Sequence, residues 1–268
     1  MKRSTWIILD TCVTLAVVSG VVLWQNRVQI KEWVEVRRTP EVPVAVTYEE
    51  TESQKTQKES ENPEKKDAVE AIQELPIEIP DEYNLAIPFT SQAPFANWDV
   101  VHEETCEEAS ILMAARFLQG RNIGDASAAD DAMLEIVSIE ENDFGYGVSM
   151  TAEQTAEVLE YIYEDLTAEV VYDFTWDDVK QAIAQGYPVI APAAGRELGN
   201  PNFTAPGPLY HMLVIKGYTP DYVITNDPGT RKGADYTYDY ATLYEAIHDW
   251  NDGAVTSGQP VIIIVKTP

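Results

Sequence analysis

Cysteine, histidine and positive charge are all scarce in this chain. Two cysteines, Cys12 and Cys106, and three histidines occur in 268 residues. Cys12 lies in an apolar N-terminal stretch, which does not fit a Cys12–Cys106 disulfide, so the folded part carries one unpaired thiol. Only 18 Lys and Arg stand against 45 Asp and Glu, a formal charge of −27. Such a chain cannot neutralise a phosphate backbone, which excludes nucleic acid as a partner. It is equally unsuited to an anionic bilayer surface as its main partner. A zinc site is disfavoured, because His102 and Cys106 have no standard ligand spacing and no second His/Cys pair exists. The run DWNDG at 249–253 lacks the later acid of a calcium loop.

Of the residues present, 45% are hydrophobic and 24% charged. These proportions exclude collagen-like, coiled-coil and wholly disordered chains. Residues 5–24, TWIILDTCVTLAVVSGVVLW, follow Lys2 and Arg3 and are long enough to span a hydrocarbon core of about 30 Å. Asp10 costs roughly 2.5–3.5 kcal/mol at mid-helix, but it is off-centre among many Val, Ile and Leu residues. Val18-Ser19-Gly20 is a poor cleavage site. Residues 1–36 therefore read as an uncleaved membrane anchor, with a cleaved signal peptide as the rival. Arg27, Lys31, Arg37 and Arg38 beyond the span are diluted by Glu32 and Glu35. A short tail ahead of a large domain favours placing that domain outside the cytoplasm. Residues 37–84 mix both charges with few apolar side chains and read as a disordered linker, with a short helix at 68–75.

From Leu85 the composition is globular, with eight Lys and Arg against 29 Asp and Glu. A helix is expected over 104–120, with Thr105 and Glu108 as its capping box and Gly120 as its stop. Further helices are expected over 124–137, from Thr151 to Asp165, from Thr175 to Gln185, and over 240–250. Strands are expected at 168–173, 187–193, 209–218, 221–226 and 260–266. Helices first and an antiparallel sheet later is an α+β order.

Cys106 directly follows the expected N-cap. A helix N-terminus favours thiolate, whereas Glu103, Glu104, Glu107 and Glu108 favour the neutral thiol. A nucleophilic Cys106 therefore needs a cation that also carries protons, which means histidine. His248 reads as a surface residue. His211 opens the apolar run MLVIKGY beside a Gly/Pro-rich loop. In the 209–226 hairpin, positions summing to about 439 face each other, which puts Asp227 near residue 212. A carboxylate there can fix the imidazole tautomer, with Asn226 as a substitute. Each residue also has a plain structural reading: a buried helix-turn Cys, a core His and a turn Asp before Pro-Gly.

The segments IPFTSQAPFANWD (87–99), CEEASILMAARFL (106–118), GYPVIAP (186–192), YHMLVIKGY (210–218) and ITNDPGT (224–230), in this order, resemble the C39-like peptidases. The resemblance implies a papain-like cysteine peptidase fold, with N-terminal helices packed on an antiparallel sheet, over residues 85–268. It implies Cys106 as nucleophile, His211 as general base, Asp227 as orienting acid, and Gln92 as a side-chain donor to the oxyanion. Two departures stand out: Cys106-Glu107-Glu108 replaces the family's Cys-Gly-Pro, and the stretch between Gln92 and Cys106 is longer. The expectation is a membrane-anchored, extracytoplasmic cysteine peptidase. It would cut peptide or protein substrates through an acyl-enzyme, with no metal or organic cofactor. The alternative is a non-catalytic binding module at the cell surface.

Overall fold

The computed structural model describes residues 40–60, 79–147 and 149–268. The expected membrane span at 5–24 and the expected helix at 68–75 lie outside the described residues. Among the described residues no helix is long and apolar enough to cross a membrane. The chain divides into two units, residues 1–41 and 42–268, and the second carries the fold described below.

Its frame is a seven-stranded sheet built from β1 (Tyr83–Asn84), β2 (Thr167–Tyr172), β3 (Val189–Ala193), β4 (His211–Tyr218), β5 (Tyr222–Asn226), β6 (Tyr236–Asp239) and β7 (Val261–Lys266). The order is β2-β7-β3-β4-β5-β6, with β1 also on β4, and the strand pairs are antiparallel. All eight residues of β4 are buried. Successive side chains of a strand point to opposite faces, so both faces are covered there. The run Val261–Val265 is likewise buried in β7, each side chain contributing roughly 1.5–3 kcal/mol.

The Cys106–Leu118 helix packs on β4, β3 and β7. Every residue of it except Arg116 is buried, so it is a central core helix and not a half-exposed one. It ends where Gly120 adopts φ +60, a left-handed turn that an L side chain resists, and Arg121 N–H returns to the Arg116 carbonyl. The Ala152–Ile162 and Trp176–Ala184 helices start from the capping boxes of Thr151/Gln154 and Thr175/Asp178.

Four expectations need correction. Thr105 makes no side-chain cap; its hydroxyl donates to the Gln92 carbonyl instead, because tertiary packing claims it first. The helix expected over 240–250 stops at Ala246, since Ile247 pairs with Ala193 at the sheet's end. In the β4–β5 hairpin Tyr218 faces Val223, two residues beyond the expected Asp221, because the turn closes with Thr219 N–H on the Tyr222 carbonyl; the irregularity between Ile215 and Gly217 takes one residue back, leaving Asn226 opposite Val214, one from the expected residue 213. Finally, part of the expected linker is structured. Tyr48–Ser60 is a helix whose first turn is closed by reciprocal Thr47–Glu50 hydrogen bonds. Tyr48 packs edge-on against Phe117, and Val46 exchanges backbone bonds with Asn84 and Ala86. The helix is polar, but tertiary contacts hold it where composition alone would leave it unfolded.

Candidate active site

The Cys106–Leu118 helix sets Cys106 at its first position, 4% exposed. The sulfur is a hydrogen-bond donor to Glu107 Oε2 at 2.9 Å, and the Met212 N–H of β4 reaches it from the sheet. Burial first, and then the Glu107 carboxylate, push the thiol well above its ordinary range; Glu108 adds to this and only the Met212 N–H opposes it. The helix N-terminus alone would favour thiolate. Desolvation and two buried glutamates outweigh it here.

His211 starts β4, one residue before Met212. Its Nε2 donates to Asp227 Oδ1 at 2.8 Å, with the two side chains 1% and 0% exposed. Asp227 lies just past the end of β5, so strand pairing brings it to the imidazole. Burial alone would raise the Asp227 carboxyl. The charge of His211, with hydrogen bonds from His211, Tyr238 and Asn200, outweighs burial and leaves it below the ordinary carboxylate value. Asn200 Nδ2 and Tyr238 Oη reach Oδ2 at 2.9 and 2.6 Å, and Gly229 N–H reaches Oδ1 at 3.0 Å. The sequence pointed to neither Asn200 nor Tyr238: they come from a loop and from a strand that composition did not reveal. Asn226 is not an orienting group, since its amide holds the Ile87 carbonyl.

Gln92 is placed differently from its expected role. Its Nε2 donates to the carbonyls of His102 and Glu103, at 2.9 and 3.0 Å, so both amide hydrogens are engaged and neither serves an oxyanion. The long stretch before Cys106 folds back on this amide. His102 is part of the same knot: Nδ1 meets Asp99 and Nε2 meets Asp130, at 2.7 and 2.8 Å. Burial lowers its basicity, but the two carboxylates more than compensate and raise it. The nearby acids thus hold His102 itself. His248 is half-buried and bonds the Gly258 carbonyl, and Asp249 accepts from Ala152 and Trp250 N–H. Among the described residues no group of three or more His, Cys, Asp or Glu side chains is arranged to hold a metal ion.

A cleft of about 970 Å³ is lined by Trp98, Phe203, Tyr210 and Trp250, with Glu103 and Arg231 among its charged residues; Cys106, His211 and Asp227 are not on its lining. Two lining residues touch the imidazole. Phe203 packs edge-on at 5.3 Å between ring centroids, and a Cβ on Gly229 would come within 2.9 Å of His211 Cε1.

A mixed helix and antiparallel-sheet domain is thus on view, with a thiol at the start of its central helix and a buried His–Asp pair at the start of β4, the strand on which that helix packs. The model of the Peptidase_C39 like family matches residues 84–262, and the chain belongs to that family. Among solved structures, it is similar to a protein from Bacillus anthracis described as a C39-like peptidase. The two share 15% identity over 70% of this chain and 98% of that one, with a TM-score of 0.47. No curated protein matches the chain.

Proposed function

We propose that the protein is a cysteine peptidase with Cys106 as nucleophile, His211 as general base and acid, and Asp227 as the group that orients it. The observation that carries the reading is the buried His211–Asp227 pair one residue from the Met212 N–H that touches the Cys106 sulfur. Asp227 occupies Nε2, so proton exchange falls to Nδ1. The thiol proton passes to Nδ1, and the thiolate adds to a scissile carbonyl. The Cys106 N–H, which as a first-turn amide has no intrahelical acceptor, holds the oxyanion. The imidazolium then protonates the departing amine. Water, deprotonated by His211, releases the acid and restores the thiol. The aromatic-lined cleft and the family favour a peptide substrate. The apolar run at 5–24 favours a domain tethered to a membrane, and the short tail ahead of a large domain favours its facing away from the cytoplasm.

A specific observation favours a second reading, a binding module: the thiol is buried and its proton is held by Glu107. Turnover of a mixed fluorogenic peptide pool by the full chain separates the two. Cys106→Ala and His211→Ala should each lose at least about a hundredfold, and Asp227→Asn less. Undiminished turnover in a folded Cys106→Ala protein would remove the peptidase reading, and absence of turnover with retained peptide binding would establish the module.

A further inference from the structure

Glu107 follows the thiol directly and is 2% exposed. Its Oε2 accepts from the Cys106 sulfur at 2.9 Å and its Oε1 from Met150 N–H at 3.3 Å. Nothing about a core helix calls for an ionisable group here, since burying a carboxylate is costly without a purpose-built set of partners. The partners present are few, one backbone N–H and the reacting sulfur itself. From its own helix Cys106 and Glu108 face it. From the turn after the Ala126–Ile139 helix Glu140 faces it, from the start of β4 His211, and from the residue just before that strand Tyr210. Glu108 and Glu140 each keep one buried carboxyl oxygen without a hydrogen-bond partner, the arrangement of two carboxyls that cannot both ionise.

We propose that Glu107 is a fourth residue of the Cys106 site, a carboxyl whose hydrogen bond to the sulfur reverses on protonation and thereby decides whether Cys106 rests as thiol or thiolate. The inference rests on the reading of Cys106 as a nucleophile. With Glu107 ionised, S–H donates to Oε2 and the thiol is held neutral. When Glu107 takes a proton from solvent, its O–H donates to sulfur. The S–H proton then moves to His211 Nδ1. The result is a neutral carboxyl, a thiolate and an imidazolium, one proton richer than before, with no bond broken except S–H. Burial lifts Glu107 to about 7, against the lowering effect of its Cys106 and Met150 hydrogen bonds and of the His211 charge. The switch therefore operates near neutrality.

The test is alkylation of the full chain by iodoacetamide, read by mass spectrometry at the Cys106 peptide so that Cys12 does not contribute. Glu107→Gln keeps the shape and stays neutral. It should react about tenfold or more faster than wild type near pH 8, as one pKa unit of the thiol implies, and within about twofold of it near pH 6. Equal rates at both values, or a ratio that does not change with pH, would overturn the proposal. Should Glu107→Gln not fold, infrared titration of protonated carboxyls in wild type and Cys106→Ala decides. Loss of the sulfur donor should move one midpoint upward, and unmoved midpoints overturn the proposal. Neither readout needs peptide turnover. An inert peptidase with the expected alkylation profile sinks only the peptidase reading, and an active one with a flat ratio sinks only the role of Glu107.

Discussion

Tyr238 donates its hydroxyl hydrogen to Asp227 Oδ2 at 2.6 Å, on the carboxylate oxygen that His211 leaves open. Asn200 donates to the same oxygen and also to the Tyr238 hydroxyl, at 3.0 Å. Burial, and then the Asp227 charge, push the Tyr238 hydroxyl upward, so it remains a donor throughout the working range. These bonds explain how a fully buried carboxylate stays ionised beside an imidazole.

Tyr238→Phe should therefore cost roughly 1.5–3 kcal/mol, the range for a hydrogen bond to a charged group. Asp227 is depressed in the folded state. Its contribution is present above the unfolded value of about 3.9 and is lost as pH falls through the folded value. The variant should acid-unfold at a higher pH than wild type, with the two converging below both values. Urea unfolding from about pH 2 to 7 checks this, and superimposable curves would show that the hydroxyl does not support the charge.

Gly229→Ala should displace the His211 ring. The added carbon would sit 2.9 Å from His211 Cε1 and 2.8 Å from Phe203 Cε1. Overpacking of this kind typically costs 1–3 kcal/mol, roughly. Peptide turnover should fall while the far-ultraviolet circular dichroism is kept. A variant with unchanged turnover and unchanged imidazole NMR shifts would mean that the glycine does not clamp the ring.

Stability should decline from mildly acid to mildly alkaline pH. Burial raises Glu107 and Glu140 to about 7 and Glu108 well above its ordinary value. A carboxyl raised on folding stabilises the native state fully below its unfolded value. That contribution is lost as pH rises through the folded value. Each such group adds a slope of up to about 1.4 kcal/mol per pH unit between roughly 4.5 and 7. Glu140→Gln should flatten the profile measured by Tm from about pH 5 to 8. A wild-type Tm that rises over this interval would contradict the buried cluster.

A protein starting at residue 42 should melt higher than one starting at Leu85. The earlier start retains the Val46 backbone bonds, the Tyr48–Phe117 contact and the Lys55 ammonium 4.6 Å from the Tyr187 ring centroid. Losing strand β1, the Tyr48–Phe117 contact and the two Val46 bonds should lower Tm by several degrees, about 4–8 °C per kcal/mol in a small domain and less in a larger one. Equal Tm values would return these residues to the status of a spacer.

Much of this domain was legible because its signals are local. Thr151 and Thr175 cap helices whose third residues complete the box, and a run such as VIIIVK has no reading but a buried strand. Thr105 carries the same signature and fails to cap, because the Gln92 carbonyl competes for its hydroxyl. Strand Tyr236–Asp239 has four residues, of which only Tyr238 is buried, too little to announce itself. The helix at Tyr48–Ser60 is held by distant partners that composition cannot weigh.

Sequence by itself determined the α+β order and the acidity, and with the family resemblance it singled out Cys106, His211 and Asp227 as candidates. Residue type narrows the side chains able to exchange protons near neutrality, and the order of the matching segments picks among them. Only the tertiary structure decided the rest: that Gln92 spends both amide hydrogens on the loop before Cys106, and that Tyr238 and Asn200 keep Asp227 ionised. It also decided that of four neighbouring glutamates Glu103 and Glu104 line the cleft while Glu107 turns inward onto the sulfur. A hydrogen bond is a matter of a few tenths of an ångström and of competition among all donors and acceptors in reach. That competition is settled only when the whole chain has packed.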